Sequence, residues 1–204
     1  MGRRAHRVAS NPKLVSDSTA TNYLHLPIGE KSPEEFNVVV EIPEGSRNKY
    51  EYDKGLNIFR LDRALHSPIY YPGDYGFVPQ TLAEDGDPLD ILILVIQPTF
   101  PGCLVVARPI GLLKMIDNDE PDDKVLCVPV GEPAYNGVHT SSQIFPHTLR
   151  TISHFFETYK TLEGKKTSTQ GWQDAAAARR SIVESHERFL AANPTFDAVA
   201  AGAR

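Results

Sequence analysis

The chain has 204 residues, 41% of them hydrophobic and 23% charged, which is enough for one good core and too few for two full domains. A formal net charge of −5 argues against the basic footprint a nucleic-acid binder needs and suits a protein that collects divalent cations. No run of about 18 apolar residues occurs, so no membrane partner is expected.

Residues 1–22 are polar and aperiodic and read as a flexible N-terminal extension. Arg3, Arg4 and Arg7 without an apolar stretch exclude a standard secretory signal, and His6 breaks the myristoylation pattern. A cytoplasmic location is expected, with an organelle transit peptide as the alternative because the segment is rich in Ser and Thr and holds one acid, Asp17. Residues 23–192 form the single predicted domain.

Residues 37–130 contain short stretches rich in β-branched and aromatic residues, broken by Gly and Pro: "NVVVEIP", "KYEYD", "NIFRLD", "YGFVPQT", "LDILILVIQP", "CLVVARPIGLLKMID" and "KVLCVPV". Many short strands with turn chemistry between them favour a barrel or sandwich over a βαβ array. Cys103 and Cys127 lie in two of these apolar stretches, far from any CxxC or Cys/His spacing, and read as reduced core residues.

The last third changes period. Phe145, Leu149, Ile152, Phe156 and Tyr159 recur at helical spacing, with Pro146 in the first turn and Gly164 placed as the stop. A second helix is expected over "GWQDAAAARRSIVESHERFLAAN", and residues 193–204 read as a loose tail after Asn193-Pro194. The fold class is therefore α+β, mainly β: a small antiparallel barrel with two C-terminal α-helices packed against it.

Residues 85–90, "DGDPLD", place three carboxylates before the apolar run "ILILVI". Acids this close repel and raise one another's pKa unless a cation compensates. On an extended segment Asp85 and Asp87 share a face, and a bend at Pro88 brings Asp90 round. The acids lack the EF-hand pattern, since Leu89, Asp90 and Ile96 stand where that loop needs an acid or Asn, Gly and Glu. They also differ from the D-x-D-x-T of aspartyl-phosphate enzymes.

A second cluster, Asp117, Asp119, Glu120, Asp122 and Asp123, falls between two apolar strands, where a merely solvated hairpin is the common outcome. Oxygen ligands without nearby His or Cys suit Mg²⁺ or Mn²⁺ and not Zn²⁺. Phosphate chemistry would also need donors, and Arg47, Lys49, Arg63, Tyr71, Tyr75, Lys124, Tyr159 and Lys160 are available; spacing does not select among them.

Taken together, "DGDPLDI", "VVEIPEG", "NKYEYD", "LDR", "YYPGDYGF", "RPIGLLKMID", "DDK" and "HFFETYK", with "GW" opening the last helix, resemble the family I soluble inorganic pyrophosphatases over roughly residues 22–192. The resemblance implies hydrolysis of pyrophosphate to two orthophosphates on a five-stranded OB-like barrel, with several Mg²⁺ ions per site and Mn²⁺ as a possible substitute. It implies Asp85, Asp90, Asp117 and Asp122 as metal ligands and Glu41 and Glu51 as acids acting through water. Asp87 would orient and deprotonate the nucleophilic water beside Tyr75, with Tyr71 nearby. Lys49, Arg63, Lys124, Tyr159 and Lys160 would bind phosphate. A homohexamer is implied by the chain's length, with His154 at an interface.

Asn118 departs from relatives that carry an acid there, and residues 131–149 follow no pattern of the family. Two other classes compete: a barrel that binds single-stranded nucleic acid or a partner with its acids serving as a metal staple, and a phosphomonoesterase using the same metals.

Overall fold

The computed structural model describes residues 21–194; of the expected loose segments at 1–22 and 193–204, all but residues 21, 22, 193 and 194, and with them the transit-peptide alternative, lie outside the described residues. Strands β1 (Phe36–Ile42), β2 (Asn48–Asp53), β3 (Ile58–Ala64), β4 (Asp74–Phe77), β5 (Asp90–Ile93), β6 (Leu104–Asp117), β7 (Glu120–Pro121) and β8 (Lys124–Pro129) precede helix α1 (Pro146–Thr158), strand β9 (Thr167–Gln173) and helix α2 (Ala175–Ala192).

Five strands close into a ring in the order β1, β4, β5, β8, β6, with β6 returning to pair β1. This is the expected five-stranded OB-like barrel. One contact differs from the all-antiparallel expectation: β5 and β8 run parallel, Ile91 beside Val125 and Ile93 beside Cys127. Both strands are buried along nearly their whole length, as parallel pairs usually are.

The long strand β6 organises the ring, because its first half pairs β1, its second half pairs β9, and β8 lies alongside both. Pro109 is accommodated by a shift in register between Pro109 and Gly111. Gly76 marks where β4 crosses β1: a Cβ there would lie 2.0 Å from the Val39 carbonyl oxygen. Strands β2 and β3 pair only with each other and form a separate hairpin sheet.

Helix α1 buries Ile152, Phe155 and Phe156 in the cluster that also holds Tyr71, Tyr75 and Tyr159. Phe145, at its N-cap, stays exposed. The left-handed Gly164 (φ +72°) ends the 3₁₀ turn Thr161–Glu163 after α1 and not the helix itself. The second helix starts later than expected. Gly171 has φ +93°, outside helical space, and Trp172 lies in β9 with its indole N–H donating to Ser153 Oγ at 3.1 Å. Asp174 sets the start of α2 by accepting the Ala177 N–H at 2.8 Å. Ala177, Ala178 and Ile182 then pack on the second core cluster.

The unassigned stretch after β8 is tied down locally. Arg108 donates to the carbonyls of Val138 and Tyr135 at 3.1 and 2.7 Å, and Gln143 Oε1 accepts the N–H groups of His139 and Thr140.

Candidate active site

One mouth of the barrel opens into a cavity of about 580 Å³. Strand β1 contributes Glu41, the hairpin of β2 and β3 contributes Lys49, Glu51, Asp53, Lys54 and Arg60, and Tyr71 and Tyr75 form the floor. Asp85, Asp87 and Asp90 come from the entry to β5, Asp117 from the end of β6, Asp122 and Lys124 from the entry to β8, and Tyr159 and Lys160 from the end of α1. The metal, substrate and catalytic residues implied by the resemblance therefore line a single cavity, except Arg63.

The local route to this convergence differs from the extended segment expected. Asp85–Gly86–Asp87 is a turn, with Gly86 at φ +89° and Asp85 Oδ1 accepting the Asp87 N–H at 3.0 Å. Leu89 is buried behind it and its N–H is held by Thr81 Oγ1 at 2.9 Å, which anchors Asp90 at the first position of β5. On the other wall a two-residue turn at Asn118 and Asp119, both with positive φ, folds β7 back on β6. Asn tolerates that conformation well, which accounts for Asn118. The turn carries Asp117 and Asp122 to the cavity, whereas Asp123 points away and pairs with Lys114.

Nearly every cation in the cavity holds a carboxylate. Lys124, with its side chain 3% exposed, bonds to Asp90 Oδ2 at 2.5 Å and to Asp122 Oδ1. Its ammonium also lies 5.9 Å from the Tyr75 ring centre. Lys160 bonds to Asp117, Lys49 to Glu51, and Lys54 to Asp87 at 2.8 Å. Glu41 accepts the Tyr52 N–H at 2.8 Å. Arg63, outside the cavity lining, is also paired: its guanidinium forks onto Glu163 and touches Asp62.

These surroundings shift the titrations. Withdrawal from water pushes the Glu41 carboxyl up to about 8, helped by the charges of Asp90 and Glu51 against the Tyr52 bond and Lys49. Burial works to lower the Lys124 pKa, but Asp90 and Asp122 outweigh it and hold the ammonium above its ordinary value. One ammonium between two acids leaves an excess negative charge, and Asp122 is raised, first by burial and also by Asp90. Burial holds the Tyr75 and Tyr159 hydroxyls well above the tyrosine range, so both remain donors at neutral pH.

The donor set fits hard divalent cations. The cavity lining has carboxylates and no His or Cys, and Asp117 Oδ1 is buried without a hydrogen-bond partner. As arranged, no three acids among the described residues close round an ion; ammonium groups are bonded to them instead. Asp53, Lys54 and Arg60, which also line the cavity, are not singled out by the sequence pattern. Only the register of β2 against β3 carries the hairpin tip over the cavity.

Fold and cavity together define a small barrel protein whose pocket suits a polyanion taken up with divalent cations. The sequence profile described as "Inorganic pyrophosphatase" matches residues 38–190. Inorganic pyrophosphatase of Methanosarcina mazei is 52% identical over 152 residues, covering 74% of this chain and 90% of the relative. That of Synechocystis is 54% identical over 153 residues, covering 75% and 90%. The crystal structure of inorganic pyrophosphatase from Thermus thermophilus superposes with a TM-score of 0.81 at 43% identity, covering 83% of this chain and 99% of that one. The chain belongs to the inorganic pyrophosphatase family.

Proposed function

We propose that the chain hydrolyses inorganic pyrophosphate to two orthophosphates, without a covalent intermediate. The observation that carries this reading is the charge make-up of the cavity: eight carboxylates interleaved with five cations. Such a pocket repels a free polyanion and accepts one that arrives with divalent cations. A bare anion site would carry an excess of Lys and Arg, and a metal staple would have no use for Lys49, Lys124, Tyr159 and Lys160.

In this reading Asp85, Asp90, Asp117 and Asp122 hold Mg²⁺, or Mn²⁺ in its place, with Glu41 and Glu51 acting through bound water. The ions, when bound, would lower the pKa of water and offset phosphate charge. Asp87 is the acid at the open side, with a side chain 71% exposed, and it accepts the proton of the attacking water. The new bond forms between that water oxygen and one phosphorus, the bridging P–O bond breaks, and its electron pair leaves with the second phosphate. Tyr75, kept protonated by burial, donates a hydrogen bond toward the nucleophile. Lys49, Lys124, Tyr159 and Lys160 offer donors to phosphate oxygens, so the leaving group departs against positive charge. Arg63 completes this set from just outside the wall.

Homohexamer assembly and a cytoplasmic location belong to the same proposal. His154 is exposed on α1 and free to enter such an interface, and sedimentation velocity tests the assembly. Among the described residues no helix is long and apolar enough to cross a membrane.

The test is phosphate release from pyrophosphate, with and without excess Mg²⁺, in wild type and Asp87→Asn. Mg²⁺-dependent release that falls by a factor of about 10² or more in the variant supports the reading. Folded protein that binds the ion and releases no phosphate with any divalent metal sinks it in favour of a binding module. Faster turnover of a simple phosphate monoester than of pyrophosphate sinks it in favour of a phosphomonoesterase.

A further inference from the structure

Arg63 stands apart from the other cations assigned to phosphate because it does not line the cavity. Its Nε and one terminal nitrogen donate to the two carboxylate oxygens of Glu163 at 2.9 and 2.8 Å, and the other terminal nitrogen, Nη1, bonds to Asp62. The Glu163 side chain is only 8% exposed and that of Arg63 23%. A forked, largely buried pair fixes both distance and orientation, unlike a solvated surface pair.

The two residues sit on separate elements. Arg63 lies on β3 opposite Lys49 on β2, in the hairpin that pairs with no strand of the barrel. Glu163 ends the 3₁₀ turn that follows Tyr159 and Lys160. With one edge of the planar guanidinium occupied by Glu163, Nη1 is the end left to offer. That end is turned toward Asp62, whose carboxylate lies 3.9 Å from the Lys49 ammonium on the cavity wall.

We propose that Glu163 is a positioning residue for substrate: it ties the β2–β3 hairpin to the turn bearing Tyr159 and Lys160 and aims Nη1 of Arg63, which here bonds to Asp62, at the phosphate held beside Lys49. The inference rests on the pyrophosphatase reading of the cavity. Glu163 itself does not touch substrate. Its removal leaves Arg63 and Lys49 in place but no longer fixed relative to Lys160, so binding shared by ground and transition state is lost before chemistry is.

The test is steady-state hydrolysis of pyrophosphate at excess Mg²⁺ by wild type, Glu163→Gln, Glu163→Asp, Arg63→Ala and the double variant Glu163→Gln/Arg63→Ala. KM is expected to rise about tenfold in Glu163→Gln while kcat stays within about twofold. Glu163→Asp, which keeps the charge, recovers part of the loss, and it takes the place of Gln in the double variant if Gln does not fold. On the Arg63→Ala background the Glu163 substitution adds less than about twofold. The same factor with and without Arg63 overturns the inference, as does an unchanged KM or a fall confined to kcat and melting temperature. These failures leave wild-type turnover intact, whereas a wild type that releases no phosphate overturns the reading of the activity and this inference with it.

Discussion

Replacing Lys124 by Met keeps the reach of the side chain and removes the ammonium that lies between Asp90 and Asp122. The side chain is 3% exposed, and its partners are 25% and 15% exposed. Without the ammonium, two half-buried to buried carboxylates face each other unpaired. Removing one partner of a buried ion pair costs about 3–5 kcal/mol. For a chain of this length that corresponds to a fall in melting temperature of roughly 10 °C. The assay is urea unfolding followed by circular dichroism, in chelator, at pH 8 and pH 5.5. Asp122, already raised by burial and by Asp90, loses in the variant the ammonium that lowered it, so the native state takes up a proton more readily and the deficit shrinks as pH falls. The expected deficit is therefore largest at pH 8 and smaller by about 1 kcal/mol or more at pH 5.5, and Mg²⁺ at pH 8 restores part of it. A deficit below about 1 kcal/mol, or one equal at the two pH values, would refute the claim that Lys124 holds two charges.

Three further outcomes follow from the same geometry. Glu41 is pushed up to about 8 from a model-peptide value of 4.5, so in chelator the stabilising contribution of its proton is complete below about pH 4.5 and is lost as pH rises through about 8, worth at most roughly 4–5 kcal/mol. Glu41→Gln flattens that slope, and a pH profile identical to wild type contradicts the assignment. Gly76→Ala would set a Cβ 2.0 Å from the Val39 carbonyl oxygen and 2.8 Å from Val40 Cα; with backbone on both sides nothing can yield cheaply, and denaturant unfolding is expected to show a loss of about 3 kcal/mol or more. Arg188 Nε donates to the Leu82 carbonyl at 2.8 Å, just ahead of the aspartate turn, so Arg188→Ala is expected to cost about 1–2 kcal/mol and to speed amide exchange around Leu82 and Ala83. Unchanged exchange there would show that Arg188 does not steady this segment.

The parts of the fold that were legible in the sequence are those with local causes. The apolar steps through Ile152 and Phe156 place α1 because the pattern and the buried face share one period. The "DGDPLD" acids were conspicuous because no buried strand tolerates three carboxylates at its mouth without a reason. Gly171-Trp172 was misplaced because a short polar segment before an Ala-rich helix looks continuous with it, and only pairing with β6 draws it into a strand. The parallel contact of β5 with β8 and the separation of the β2–β3 hairpin depend on pairings between distant segments, which no local period encodes. Lys54 and Glu163 were invisible for the same reason, since each gains meaning from a partner 33 or 100 residues away.

An acid-rich cavity raises the question of what keeps the ligand-free barrel intact, and the lysines answer it. Lys124, Lys160 and Lys49 each neutralise a carboxylate assigned to a metal, and each is also a donor assigned to phosphate. The two roles compete: each N–H that an ammonium gives to a carboxylate is one fewer for a phosphate oxygen. Divalent cations that take over the carboxylates leave the ammonium groups directed into the cavity, where a polyanion is the natural counter-charge. Metal and substrate would then bind with positive coupling without movement of the barrel strands. The element free to adjust is the β2–β3 hairpin, which carries Lys49 and Lys54 and is tied to the far wall through Glu163. Severing that tie while leaving every cavity-lining side chain in place separates the contribution of hairpin position from that of cavity charge.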